Sequence, residues 1–297
     1  MDPAYSVDAL RYFRKIDAYS GLRIFAIALL ALFAIWFEAK TEWISLAWSV
    51  ALGGAWLYLS WTLMRDRWVV RGTLFRILIY FITGIYWTSE FYLNTLLFYT
   101  IVVELNWHLV EHHKRRGAVL SVLHSGTLTA LASLWNPSET IFIVVFTLLT
   151  WLIAGGVRVR TVLQWLLAWG VAQAAIIFGT TGVFEVETKL QGAEAPMTWW
   201  ILPIVLMLFA ISEWVQSYLK ANQMNKSRGL VAGLWMIAGA ALAWTMHSDF
   251  ALVLLYLGLS YHLTNALRYL KRGRLGEALL WVVLIFVLVT HFDLILL

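Results

Sequence analysis

Apolar runs of roughly the length that crosses a bilayer follow one another along this chain, joined only by short polar connections. A helical span of hydrocarbon takes about 20 residues, fewer where flanking side chains snorkel. By that measure the sequence predicts eleven spans, near Leu22–Phe37, Trp43–Met64, Leu74–Ser89, Phe91–Val110, Ala118–Leu134, Thr140–Ala154, Thr161–Thr181, Thr198–Ser217, Gly229–Met246, Phe250–Leu267 and Gly276–Thr290. The expected fold is all-α, a polytopic transmembrane helical bundle.

Charge fixes its expected orientation. Of the 22 Lys and Arg, all but Lys40 and Lys189 fall in or beside alternate connections. They are Arg11, Arg14, Lys15 and Arg23; Arg65, Arg67, Arg71 and Arg76; Lys114, Arg115 and Arg116; Arg158 and Arg160; Lys220, Lys226 and Arg228; and Arg268, Lys271, Arg272 and Arg274. Cytoplasmic loops retain basic residues, so this side is expected to be cytoplasmic, with the N-terminus inside and, after an odd number of spans, the C-terminus outside. The other connections hold Glu38, Glu42, Glu90, Glu139, Glu185, Glu187, Glu194, Asp249 and Asp293, a mildly acidic face. Dropping one span would invert every later loop.

A chain of 297 residues with 61% hydrophobic and only 13% charged side chains is too apolar for a soluble domain, where about a quarter are charged. The net charge of +5 follows from loop retention, and no basic patch with interleaved aromatics speaks for nucleic acid. With no cysteine, thiol catalysis and Cys-ligated metals are excluded. Residues 1–21 are expected to form a cytoplasmic amphipathic segment. In it Val7, Leu10, Phe13, Ile16 and Tyr19 recur three apart around Arg11, Arg14 and Lys15, a pattern suited to anionic headgroups. Residues 22–297 are expected to be one transmembrane domain, the first apolar run being a retained span rather than a removed signal.

Tryptophans support the boundaries, with Trp36, Trp43, Trp87, Trp135, Trp199, Trp200 and Trp244 at outer ends and Trp68, Trp107 and Trp214 at inner ends. Gly53, Gly54, Gly84, Gly126, Gly170, Gly233 and Gly239 offer close helix contact. Pro203 is expected to kink its span.

The most site-like cluster lies at the inner end of the fourth span. Glu104, His108 and His112 are spaced four apart on one helix face, beside Glu111 and His113. His108 to His112 fits the H-x-x-E-H pattern in which two His hold zinc and the Glu, here Glu111, acts as base. Zinc would need a third ligand and imidazole partners, and the run continues into Lys114, Arg115 and Arg116, which oppose a divalent cation. The expectation is therefore an interfacial polar helix end, with no metal and no cofactor. Glu104 lies deeper, where an ionisable group is costly. It either pairs with Arg76, Asn106 or Glu213 at similar depth, or marks a substrate or proton site.

Outside, Glu38 and Glu42 flank the first outer loop, the placement of an acidic base or metal ligand in polytopic glycosyltransferases that use lipid-phosphate sugar donors. The chain lacks that class's long first outer loop and its soluble domain. There is no P-loop, no G-x-S-x-G, no central lysine for a retinal Schiff base and no convincing inverted repeat. On the inner side Arg65, Arg67, Arg71, Lys114, Arg115 and Arg116 are the expected contacts for anionic lipid or a partner.

Leu120 to Pro137 (LSVLHSGTLTALASLWNP), the Arg158 to Arg160 turn, Leu163 to Gly170 (LQWLLAWG), Lys226-Ser227-Arg228 and the closing Leu267 to Trp281 region together resemble an uncharacterised family of polytopic inner-membrane proteins of Bacteroidota. The resemblance implies an inner-membrane, envelope-related setting and supplies no catalytic residue. The function expected from the sequence is a non-catalytic or accessory membrane subunit of an envelope-biogenesis or secretion assembly, contacting lipid and possible protein partners but not nucleic acid. The alternative is a lipid-linked-sugar glycosyltransferase-like enzyme or lipid transporter working through Glu38 and Glu42, or through Glu104 and His108.

Overall fold

The computed structural model describes residues 51–52, 54–55, 93–155, 158–180, 201–220, 223–246 and 248–269. From residue 93 onward the described residues form seven α-helices and one 3-10 turn, with no strand among them. The helices are α1 (Leu93–Arg116), α2 (Val119–Trp135), α3 (Thr140–Gly155), α4 (Val159–Thr180), α5 (Ile201–Lys220), α6 (Gln223–Met246) and α7 (Asp249–Tyr269), with the 3-10 turn Pro137–Glu139 between α2 and α3. Each overlaps one of the spans expected from Phe91 to Leu267. The spans placed at Leu22–Phe37, Leu74–Ser89 and Gly276–Thr290, most of Trp43–Met64, and the amphipathic segment 1–21 lie outside the described residues.

Among the described residues, three stretches are long and apolar enough to cross a membrane: Pro137–Ala154, Val159–Gly179 and Lys226–Met246. Their 18 to 21 residues rise about 27 to 32 Å, close to the thickness of a hydrocarbon core. Helix α1 is of similar length, but Glu104, Asn106, His108, Glu111, His112 and His113 make it too polar to face lipid all round. Its polar side chains turn inward instead: Glu104, Asn106 and Glu111 are buried together with Leu96, Val102, Trp107 and Val110.

The chain divides into two compact units. One comprises Met1–Asn94, Pro196–Lys220 and Leu259–Leu297; the other comprises Thr95–Ala195 and Ala221–Gly258. In the second unit α2 packs along α4 and against α3, and α3 packs against α6. The α2–α4 seam is close because Gly126 has no side chain: a Cβ there would sit 2.7 Å from the Trp165 carbonyl oxygen and 2.9 Å from the Trp169 nitrogen. The crossing of α6 with the first half of α7 uses two such positions, Gly239 against Ala251 and Leu255, and Gly258 against Ala232 and Met236. Without a hydrophobic driving force between helices in lipid, such backbone approaches and their dispersion contacts are what holds spans together. Gly170, also expected at a close contact, has open space where its Cβ would be.

Hydroxyls inside the helices are mostly satisfied locally. Thr100 donates to the Leu96 carbonyl, Thr129 to Ser125, Ser133 to Thr129 and Thr150 to Phe146, each one turn back. This lets serine and threonine sit in apolar surroundings with their hydroxyl hydrogens satisfied. The α1–α2 connection is tight: Gly117 takes φ +63, a left-handed conformation suited to glycine, and its N–H donates to the His113 carbonyl at 2.7 Å. Pro203 falls in the first turn of α5, where a helical N–H has no intrahelical acceptor to lose.

Gly126→Val is expected to force α2 and α4 apart and destabilise the protein by about 1–3 kcal/mol, whereas Gly170→Val changes little. Thermal unfolding of both variants in mild detergent checks this, and equal midpoints would show that the seam is not tight.

Candidate functional site

The inner-end cluster of α1 is built by three helices of the second unit. Arg228 was expected in a basic connection; it lies instead in the second turn of α6, buried, because α6 starts at Gln223. Its guanidinium grips Glu111 of α1 with both arms, Nε donating to Oε1 at 3.3 Å and Nη2 to Oε2 at 3.0 Å. A planar fork matched to a carboxylate is the favourable way to place a charge pair in low dielectric. Lys114 stands exposed nearby and reaches the Ser227 hydroxyl at 3.5 Å.

The neighbouring imidazoles tie α1 to the start of α2. His112 Nδ1 shares a hydrogen bond of 2.9 Å with the Ser121 hydroxyl. His113 Nδ1–H donates to the Ala118 carbonyl at 3.0 Å, and its ring packs against Trp151. His108 and His112 stand with ring centroids 6.4 Å apart. The H-x-x-E-H residues thus share one helix face. Glu111, which the zinc pattern needs as a base, accepts from an arginine, and among the described residues no three His, Cys, Asp or Glu side chains group to hold an ion.

Two turns deeper, a polar hub joins four helices. The Ser125 hydroxyl donates to Asn106 Oδ1 at 2.5 Å and accepts from the indole N–H groups of Trp151 at 2.8 Å and Trp165 at 2.9 Å. All four side chains are buried, and they belong to α2, α1, α3 and α4 respectively. A third indole, Trp235 of α6, donates to Thr150 of α3 at 3.1 Å and stands edge-on to Trp107.

At the opposite end of this unit the acid is Glu139, closing the 3-10 turn. Placed by sequence on an outer, acidic connection, it is 1% exposed. Its Oε1 accepts from the Ser248 hydroxyl at 2.5 Å and from the Phe250 N–H at 3.2 Å, while Ser248 Oγ itself caps Ala251 N–H at 3.2 Å. The carboxylate thus sits on the positive end of α7, a stabilising position for an anion. Together the two ends put the 114–116 and 226–228 segments at one end and the 136–139 and 248–249 connections at the other, the alternation expected from charge.

Of the remaining sequence candidates, Glu104 is 2% exposed in the middle of α1. Of the side chains expected at its depth, Asn106 accepts from Ser125, and Glu213 meets His262. Arg76, Glu38, Glu42, Arg65, Arg67 and Arg71 lie outside the described residues, as does the Arg115 side chain; Arg116 is exposed. Sequence reading missed the roles of Arg228 and Glu139. The available signal was that each falls within a turn of an apolar run, close enough to be drawn inside it.

Compared with protein-family models, curated proteins and solved structures, the chain finds no match. The resemblance to a Bacteroidota inner-membrane family rests on the quoted residues alone.

Removing one partner of a buried pair strands the other charge, so Glu111→Gln or Arg228→Met is expected to cost about 3–5 kcal/mol, while the double variant Glu111→Leu, Arg228→Leu recovers most of it. Denaturant unfolding of the three proteins in detergent measures this. Additive losses would mean that the pair is not coupled. Ser125→Ala, which strands two indole donors, is expected to cost about 1–3 kcal/mol by the same assay.

Proposed function

We propose that this protein is a non-catalytic or accessory subunit of an envelope-biogenesis or secretion assembly, held in the bacterial inner membrane by about eleven spans with its N-terminus in the cytoplasm. The observation that carries this reading is the fate of the most chemically endowed segment. Glu111 is clamped by Arg228, and His112 and His113 bind the first turn of α2. These side chains act as struts between helices rather than as a set converging on a reacting atom. The apolar, exposed length of α4, with Leu163, Leu167, Val171 and Phe178 turned outward, adds a surface suited to lipid or to a neighbouring span.

The lipid-linked-sugar enzyme reading would place its acids at Glu38 and Glu42. One experiment separates the two. The protein is purified from native membranes in mild detergent, and what accompanies it in stoichiometric amount is identified by mass spectrometry. A defined membrane-protein partner is expected; a lone protein carrying polyprenyl-phosphate lipid would overturn the subunit reading in favour of the enzyme.

A further inference from the structure

The first unit contains a second pair of intramembrane ionisable groups, unlike the ties described above. Glu213 of α5 and His262 of α7 meet with His262 Nδ1 and Glu213 Oε2 3.1 Å apart. Both side chains are at least nine-tenths buried, the imidazole at 1% exposure. Each lies seven residues from the end of its helix that carries basic residues, Lys220 in α5 and Arg268 to Tyr269 in α7. That is about 10 Å of helix inward. An ionisable side chain at such depth is a functional-site hypothesis by default.

The pair differs from Glu111–Arg228 in what it leaves over. The guanidinium there occupies both carboxylate oxygens. Here Glu213 Oε1 and His262 Nε2 are both buried, with no hydrogen-bond partner among the described residues. With Glu213 as a carboxylate, which only accepts, the imidazole hydrogen belongs on Nδ1 and the lone pair of Nε2 on the far side of the ring. A base whose ring is oriented by a carboxylate is the arrangement that proton transfer requires. Two aromatic rings complete the surroundings: Trp214 lies 5.7 Å from the imidazole centroid, and Tyr261 stands edge-on at 5.2 Å. Glu213 from α5 and Tyr261, its neighbour in α7, both stand against His262.

We propose that Glu213 and His262 form an intramembrane proton-binding site, with Nε2 as the atom that takes the proton. An N–H bond forms from the Nε2 lone pair as an O–H bond of hydronium breaks and water leaves. No electrons are transferred, and the charge of the pair goes from negative to neutral. Glu213 holds the ring and balances the imidazolium; it is a positioning residue. The site goes beyond the subunit reading and does not rest on it, since a subunit and an enzyme could each carry a proton-responsive element.

The test uses full-length protein with ¹⁵N-labelled histidine in lipid nanodiscs, with the His262 signals assigned by their loss in His262→Gln. Spectra are taken at about pH 5, 6 and 9, a range that brackets imidazole chemistry. In the wild type, Nε2 is expected to read as a bare ring nitrogen at the alkaline end and as N–H at the acid end. In Glu213→Gln that change is expected to be lost or to require more acid than in the wild type. An Nε2 signal that stays the same in the wild type throughout would overturn the site and leave the pair as a strut. So would a wild-type change that Glu213→Gln leaves untouched. If Glu213→Gln does not fold, the wild-type series alone still decides whether Nε2 takes up a proton.

Discussion

A guanidinium and a carboxylate held together out of water impose more on this molecule than any single apolar contact. Neither Glu111 nor Arg228 is tolerable alone in a low-dielectric interior, so α1 and α6 must meet at this level and in this register. That meeting has a geometric consequence, because the segments carrying Lys114 and Lys226 are brought to the same end of the unit. The polar load that keeps α1 from facing lipid is what gives it neighbours. His112 and His113 bind the turn into α2, Asn106 reaches Ser125, and Trp107 stands against Trp235.

Between the polar ends, the helices are held by shape. Where Gly126, Gly239 and Gly258 remove side chains, backbones approach closely enough for carbonyls and amide nitrogens to line the contact. The hydroxyls of Thr100, Thr129, Ser133 and Thr150 donate back to their own helices, which places small polar side chains in the interior with their hydrogens satisfied. The buried carboxylate of Glu139 completes this logic at the far end, where it serves two helix-terminal groups of α7 that would otherwise lack partners.

The seven helices between Leu93 and Tyr269 were legible because hydrocarbon thickness and charge retention act on composition, which a sequence displays directly. Partner choice was less legible. Glu111 and Arg228 are 117 positions apart, and only packing reveals that a residue counted as a loop cation is an internal one. Glu139 was visible as an acid beside Pro137, but its capping role depends on a serine and an amide of a distant helix. Glycine reports permission for close approach rather than the approach itself: Gly126 and Gly239 are used this way and Gly170 is not. For the inner-end cluster, spacing identified the shared face of Glu104, His108 and His112, yet the chemistry of that face is set by Arg228 and Ser121, which no helical period could supply. His262 went unremarked for the same reason, since a lone imidazole in an apolar run acquires meaning only from the carboxylate opposite.

The Ser125 hub has one more implication, for conduction. A hydroxyl can donate once and accept twice, and here all three positions are filled by Asn106, Trp151 and Trp165. Passing a hydrogen ion along a chain of hydroxyls or waters needs a vacant lone pair at each station, and this station has none. Ser125 is thus closed to such a relay, and its indole and amide partners make it a fixed junction of four helices.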